Sequence, residues 1–326
     1  IGEARVVIGA SLGLVLATRA IPVESLLHQA DLALYMAKGA GRRTFRFFRP
    51  DMEDRQREQA LLEADLAQAI TRGELELHYQ PFVRSPRVST AGFEALLRWH
   101  HPERGTIPPA IFIPLAEKSS LINRIGDWVL QEACRAAASM PGDLVMAVNL
   151  SSRQFEQGHL AADIRAILAE TGLAPQRLEL EVTESVLIDN PDAVIECLRE
   201  LKALGIRIAM DDFGTGYSSL SYLWRFPFDK IKIDGAFIAA MTQDQTARDI
   251  VQAIAMLTRQ LGVNLTAERV ETEEEIRFLR EIRCDYLQGY FFARPMPLVD
   301  AAAHLLTETR RRSRAGHSGR RKHLAA

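Results

Sequence analysis

Two adjacent acids, Asp211 and Asp212, end the apolar run from Ile206 to Met210 and open a glycine-rich loop, Phe213-Gly214-Thr215-Gly216. Neighbouring carboxylates at the mouth of a buried strand repel each other and are costly to desolvate. A cation between them removes that cost. The pattern recurs along the chain: Gln80, Glu94, Asn149, Glu181, Lys232, Glu268 and Gln288 each close an apolar stretch. These groups are carboxylates and amides with one lysine, and no thiol or evident imidazole joins them. Oxygen donors favour hard cations such as Mg²⁺, Mn²⁺ or Ca²⁺. Five acids in one mouth carry enough charge for two divalent ions, and a pair of ions ~4 Å apart is a standard device for displacement at phosphate esters. Lys232 would stay protonated among the acids, where it would steer a nucleophilic water or offset charge on the transition state.

Taken singly, most of these residues have a plainer reading. Asp211-Asp212 could be a turn with an Asx cap. Glu181, within Glu179–Glu184, and Lys232, within Lys230–Asp234, could be the outer face of alternating strands. Asn149, before Leu150-Ser151-Ser152, could start a helix. Glu94 lies inside an apolar strand, where a carboxylate without a partner is costly.

The elements that must position these groups follow a βα rhythm from Glu74 onward. Strands are expected at Leu75–Gln80, Ala91–Leu97, Leu144–Asn149, Leu178–Val182, Arg207–Asp211, Lys230–Ile233, Val263–Glu268 and Tyr286–Phe291. Helical periodicity fills most of the gaps, at Arg124–Ser139, Ala161–Glu170, Ala193–Leu204, Ala247–Leu261 and Thr272–Arg283. Eight strands alternating with helices define an α/β chain and fit a TIM-like (β/α)₈ barrel better than an open sheet. Active sites of such barrels sit at the C-terminal ends of the strands, and those ends carry the polar series above.

The other segments differ in style. Residues 1–50 read as a strand (Arg5 to Leu16), a short helix stopped by Gly39 and Gly41, and a final strand (Thr44–Phe48). Residues 51–73 read as a connecting helix, 74–306 as the barrel domain, and 307–326 as a basic, disordered tail. The 326 residues carry a net charge of −2, but the tail holds seven basic side chains against one acid. The remainder has 33 basic and 41 acidic groups, a charge of −8. Such an acidic body is a poor general nucleic-acid binder, and no such binding is expected. Cys134, Cys197 and Cys284 lie far apart, without disulfide or zinc spacing. The expected compartment is therefore the cytoplasm. The chain starts at Ile1 rather than Met and reads as a fragment, so a missing N-terminal region could still tether the full protein to a membrane.

Residues 74–300 resemble the EAL domain, the cyclic di-GMP phosphodiesterase family. Glu94-Ala95-Leu96 is the naming tripeptide. In order along the chain stand Tyr79-Gln80-Pro81, Phe112–Glu117, Val148-Asn149-Leu150-Ser151, Glu179–Glu184, Asp211–Gly216, Lys230–Asp234 and Gln288-Gly289-Tyr290. The resemblance implies a bacterial signalling enzyme that hydrolyses cyclic di-GMP to linear pGpG with two Mg²⁺ or Mn²⁺ ions. It implies that Glu94, Asn149, Glu181 and Asp211 bind one metal. Asp211, Asp212 and Glu268 would serve the second. Lys232 would position the hydrolytic water, and Glu94 and Glu268 would share in catalysis. Gln80, Arg98 and Gln288 would contact substrate, with Arg98 gripping a phosphate through its forked guanidinium. Glu184 would anchor the Asp211–Gly216 loop. The implied barrel has an antiparallel first strand and dimerises.

One position departs from the family pattern. Arg269, in Ala267-Glu268-Arg269-Val270-Glu271-Thr272, replaces a usual glycine. If the backbone there needs positive φ, arginine strains it; otherwise its charge could help to hold a phosphate. A catalytically weak cyclic di-GMP receptor, or a regulatory dimer platform, is the alternative reading. Residues 1–50 resemble the C-terminal end of a GGDEF (diguanylate cyclase) domain, through Ala30–Arg42 with the basic pair Lys38 and Arg42. Its signature motif is absent from the chain, so upstream GGDEF or sensor domains are expected in the full-length protein.

Overall fold

Strand β3 (Leu75–Arg84) buries Leu75, Leu77 and Tyr79 on one face and turns Glu76, His78 and Gln80 to the other. This period-two alternation decides what the barrel mouth contains. The computed structural model describes residues 9–17, 21–39, 41, 43–189, 191–214, 223 and 225–308. They fall into two units, split between Gln68 and Ala69.

In the first unit, β1 (Leu12–Leu14) and β2 (Phe45–Phe47) pair in parallel. They are joined through a helix, Val23–Gly39, which buries Leu32, Ala33 and Ala37. Gly13 is required by that packing, because a Cβ there would sit 2.0 Å from the Ala30 carbonyl oxygen. A second helix, Asp51–Ala69, closes the unit. Arg42, and the Arg5–Ile8 part of the expected first strand, lie outside the described residues.

The second unit is a closed eight-stranded barrel. Its strands are β3, β4 (Ser89–His101), β6 (Val145–Asn149), β7 (Leu178–Thr183), β8 (Arg207–Phe213), β9 (Lys230–Ile233), β10 (Asn264–Ala267) and β11 (Tyr286–Gln288). A short strand, β5 (Gly105–Ile107), extends β4 as a hairpin outside the ring. Neighbours from β4 through β11 pair in parallel. β3 is antiparallel to both β11 and β4 and closes the ring.

That reversal is the one the family resemblance implies, and it corrects the reading of Gln80 and Glu94 as strand ends. Gln80 and Glu94 lie opposite each other in mid-strand rather than at strand ends. β3 runs downward from the mouth, so its own end points away from it. β4 pairs with β6 only over Gly92–Ala95 and then continues past the rim into its hairpin with β5.

Local chemistry fixes the surrounding helices. Helix Gln245–Leu261 starts where the Asp244 side chain accepts the Thr246 N–H at 2.7 Å and stops at Gly262, φ 70°. It buries Ala247, Val251, Ile254, Ala255 and Thr258, a stripe at helical spacing. Helix Glu273–Glu281 opens with a capping box between Thr272 and Glu275. Helix Pro109–Lys118 was not expected, since Pro114 sits inside it and proline there removes a backbone donor. Burial of Phe112, Leu115 and Ala116 and the Trp99–Phe112 ring contact at 5.6 Å hold it in place. The three cysteines are free, and burial pushes the Cys134 and Cys284 thiols up to about 12. Among the described residues no helix is long and apolar enough to cross a membrane.

Candidate active site

Strands β7 and β9 each turn two charged side chains into the barrel, two residues apart. In the lower layer the Lys230 Nζ lies 2.5 Å from Glu179 Oε1 and over the rings of Phe82 and Tyr286, at 4.3 and 4.7 Å. In the upper layer Lys232 Nζ lies 2.7 Å from Glu181 Oε2. The lower pair is self-sufficient. The upper one is not, because three further carboxylates reach the same ammonium.

Lys232 Nζ stands 2.6 Å from Glu268 Oε1, 3.3 Å from Asp211 Oδ1 and 3.8 Å from Glu94 Oε2. The lysine is 1% exposed. Burial disfavours its charge, but Asp211, Glu181, Glu268 and Glu94 together overcome that and hold its pKa well above the usual lysine value. The carboxylates feel the deficit. Burial, with Asp211 and Glu94 nearby, pushes Glu268 up to about 8 despite Lys232. Burial also drives Glu181 well above the usual carboxylate range, reinforced by Glu94, Asp211 and Glu179 against Lys232. Glu94 goes the other way. Burial alone would raise it, but Lys232 and hydrogen bonds from Gln288 and Asn149 hold it below its ordinary value. Asp212 is raised by burial and by Asp211 and Asp234.

The amides complete the cradle. Asn149 Nδ2 donates to Glu94 Oε1 at 2.7 Å, and Gln288 Nε2 donates to Glu94 Oε2 at 2.6 Å. Gln288 also reaches Gln80 Oε1 at 3.3 Å, and Gln80 Nε2 donates to the Ala293 carbonyl at 3.2 Å. Asn149 is therefore not the helix-starting device it could have been. Ser151 caps the next helix in a box with Gln154, and its hydroxyl donates to Glu117 at 2.7 Å. Gly289 is held tightly: a Cβ there would meet the Val270 carbonyl oxygen at 2.1 Å.

Asp211, Asp212 and Glu268 offer oxygens within 4.8 Å of one another, a spacing that could hold a metal ion. Asp212 takes φ 53°, and its N–H donates to Asp211 Oδ1 at 2.9 Å. Past it, Glu184 Oε1 accepts the Gly214 N–H at 2.9 Å. Thr215 and Gly216 lie outside the described residues. Arg269 also takes a positive φ, 51°, so the strained condition foreseen for that position is the one found. Its stem packs against Gly235, where a Cβ would come within 2.3 Å of it, and its charge opposes the rise at Asp212.

Above the acids opens a cleft of ≈ 290 Å³ lined by Gln80, Glu94, Arg98, Asp211, Glu268 and Tyr290, among others. Arg98 Nη1 donates to its neighbour Leu97's carbonyl at 2.8 Å. Tyr290, half exposed, has the Arg294 guanidinium 4.4 Å from its ring centre. Sequence reasoning gave Tyr290 no role, and its place after Gln288-Gly289 was the available signal. The donor set is rich in oxygen and short of positive charge, so it fits hard divalent cations.

An (β/α)₈-type barrel with an acid-lined mouth defines the class. Residues 63–295 match the family model of the EAL domain, and the chain belongs to that family. It is 51% identical over 278 residues to an uncharacterized signaling protein of Caulobacter vibrioides, covering 85% of this chain and 34% of that one. It is 46% identical over 276 residues to the bifunctional diguanylate cyclase/cyclic di-GMP phosphodiesterase MucR of Pseudomonas aeruginosa, covering 83% of this chain and 40% of the relative. A solved structure of the PaMucR phosphodiesterase in its c-di-GMP complex is 47% identical, with TM-score 0.70, over 73% of this chain and 98% of that one. The chain thus spans between a third and two fifths of these curated relatives.

Proposed function

We propose that this chain hydrolyses one phosphodiester bond of cyclic di-GMP, giving linear pGpG. A single buried lysine faces four carboxylates at the floor of an open cleft, and that observation carries the reading. The similarity to phosphodiesterases named for this substrate supports it.

Glu94, Asn149, Glu181 and Asp211 would hold one Mg²⁺ or Mn²⁺, and Asp211, Asp212 and Glu268 a second. When bound, such ions supply charge neutralisation and acidify water. The chain's own groups do the rest. Arg98 releases its backbone carbonyl and clamps a substrate phosphate through two parallel N–H donors. Gln80 and Gln288 orient the nucleotide beside it. Lys232 fixes the attacking water and opposes charge built up at the phosphorus. Glu184 holds the loop that presents Asp212.

Around this core the reading includes a homodimer, a cytoplasmic barrel, and upstream GGDEF or sensor domains of which residues 1–50 are the end. Strained Arg269 favours a second reading, a receptor that binds cyclic di-GMP and turns it over slowly.

Chromatography of cyclic di-GMP after incubation with the protein and Mg²⁺, Mn²⁺ or EDTA tests the proposal. Metal-dependent pGpG is expected. Intact cyclic di-GMP with well-folded, metal-loaded protein would overturn it and leave the receptor.

A further inference from the structure

The alternation that sends Gln80 and Glu94 into the mouth sends three more ligand-bearing residues out of the same face. Along the β3–β4 ladder, Gln80 lies opposite Glu94, His78 opposite Leu96 and Glu76 opposite Arg98. His100 follows on β4, its N–H bonded to the Glu74 carbonyl at 2.8 Å. Imidazoles that the sequence did not mark as a site thus meet on the strand pair that carries Gln80, Glu94 and Arg98.

Both rings aim Nε2 at one oxygen. His100 Nε2 is 3.0 Å from Glu76 Oε2, and His78 Nε2 is 3.4 Å from the same atom. The three ligand atoms lie within 4.8 Å of one another. On its far side His100 Nδ1 is 3.2 Å from Thr106 Oγ1 on β5. A ligating histidine commonly donates its other ring N–H to such an acceptor, which fixes the tautomer. With Nδ1–H given to Thr106 Oγ1, Nε2 presents its lone pair beside the Glu76 carboxylate, where a shared cation would join the two.

The spacing suits one. Tetrahedral coordination at 2.0–2.1 Å separates ligand atoms by about 3.3 Å, close to the distances found. The backbone beneath is firm: Trp99 Nε1 donates to the buried Glu74 Oε2 at 3.0 Å, and β4 is bonded on both sides. Arg98, the cross-strand neighbour of Glu76, is turned to the Leu97 carbonyl. Two imidazoles and a carboxylate select borderline ions rather than Mg²⁺.

We propose that Glu76, His78 and His100 form a second metal site, separate from the carboxylate cluster, that takes one zinc-class divalent ion and leaves a position open to water. Under the nucleotide reading of the cleft, an ion there adds positive charge to the face that carries Arg98. The binding itself does not depend on that reading.

The test is a Co²⁺ titration of the whole chain in excess Mg²⁺, followed by visible absorption and then by displacement with Zn²⁺. One equivalent of Co²⁺ should give a band of low-symmetry, nitrogen-containing coordination that Zn²⁺ abolishes. His78→Ala and His100→Ala should each weaken it at least about tenfold. Asp211→Asn should keep it. Glu76→Gln serves as a milder variant, and unchanged thermal melting of each protein in EDTA separates lost ligation from lost fold. A wild-type chain without the band, or a band unchanged in both histidine variants, would overturn the site. A band lost only in Asp211→Asn would do the same, since the ion would then belong to the carboxylate cluster. Failure here leaves the hydrolysis assay untouched.

Discussion

Lys232 Nζ lies 2.6 Å from Glu268 Oε1, and this contact links the two halves of the carboxylate cluster. Glu268 directly follows β10, beside Asp211 and Asp212, while Lys232 also holds Glu181 at 2.7 Å. One ammonium therefore does the neutralising that divalent ions would share. Truncating it in Lys232→Ala should reduce kcat by about 10²- to 10³-fold with little change in KM, because the role assigned to it lies in the chemical step. Steady-state kinetics in saturating Mg²⁺ checks this. A kcat within about twofold of wild type would remove Lys232 from the mechanism.

The raised Glu268 gives a pH dependence with a definite sign. Its folded value of about 8 exceeds the ordinary value of 4.5, so the metal-free fold binds a proton that the unfolded chain releases. Stability from this group is complete below about pH 4.5 and is lost as pH rises through about 8. In EDTA the melting temperature should fall across that window. Mg²⁺, which competes with the proton, should bind more tightly as pH rises to about 8. Melting scans with and without Mg²⁺ read both trends, and a metal-free melting point that rises across the window contradicts them.

Arg269 places a cation beside Asp212 at a backbone φ of 51°. Arg269→Gly removes like-charge repulsion against an incoming ion. The side chain is exposed and thus screened, so Mg²⁺ affinity should rise only about two- to fivefold. The Mg²⁺ dependence of the rate measures it. Weaker Mg²⁺ binding in the variant would mean that the arginine supports the metal site through packing on Gly235.

Glu184 meets the loop at Gly214, whose N–H its Oε1 accepts at 2.9 Å. Glu184→Ala should lower activity by at least about tenfold through misplacement of Asp212. Glu184→Gln keeps an acceptor oxygen and should retain most of the rate. Equal losses in the two variants would point to the charge rather than the hydrogen bond.

Much of this architecture was legible because apolar runs and polar ends recur with a βα rhythm. The strands from Val145 to Ala267 fall within a residue or two of the expected bounds. The hairpin was harder to read. The polar-end pattern counts Gln80 and Glu94 as strand ends, whereas the antiparallel β3, implied by the family resemblance and not by the pattern, sets them opposite each other in mid-strand. Composition does not reveal strand direction. Helix Pro109–Lys118 was hidden by its internal proline, which tertiary burial overrides. Glu76, His78 and His100 escaped notice because two of them are separated from the third by the whole hairpin, and register alone brings them together.

The most direct test of the account is the rate of cyclic di-GMP hydrolysis by Glu94→Ala at limiting Mg²⁺, set against wild type. Glu94 is the carboxylate that Asn149 and Gln288 both hold in its ionised form. Its loss should abolish metal binding and hydrolysis together, by at least about 10³-fold. Full rate at limiting Mg²⁺ would show that the cluster around Lys232 is not where the metal-dependent chemistry happens.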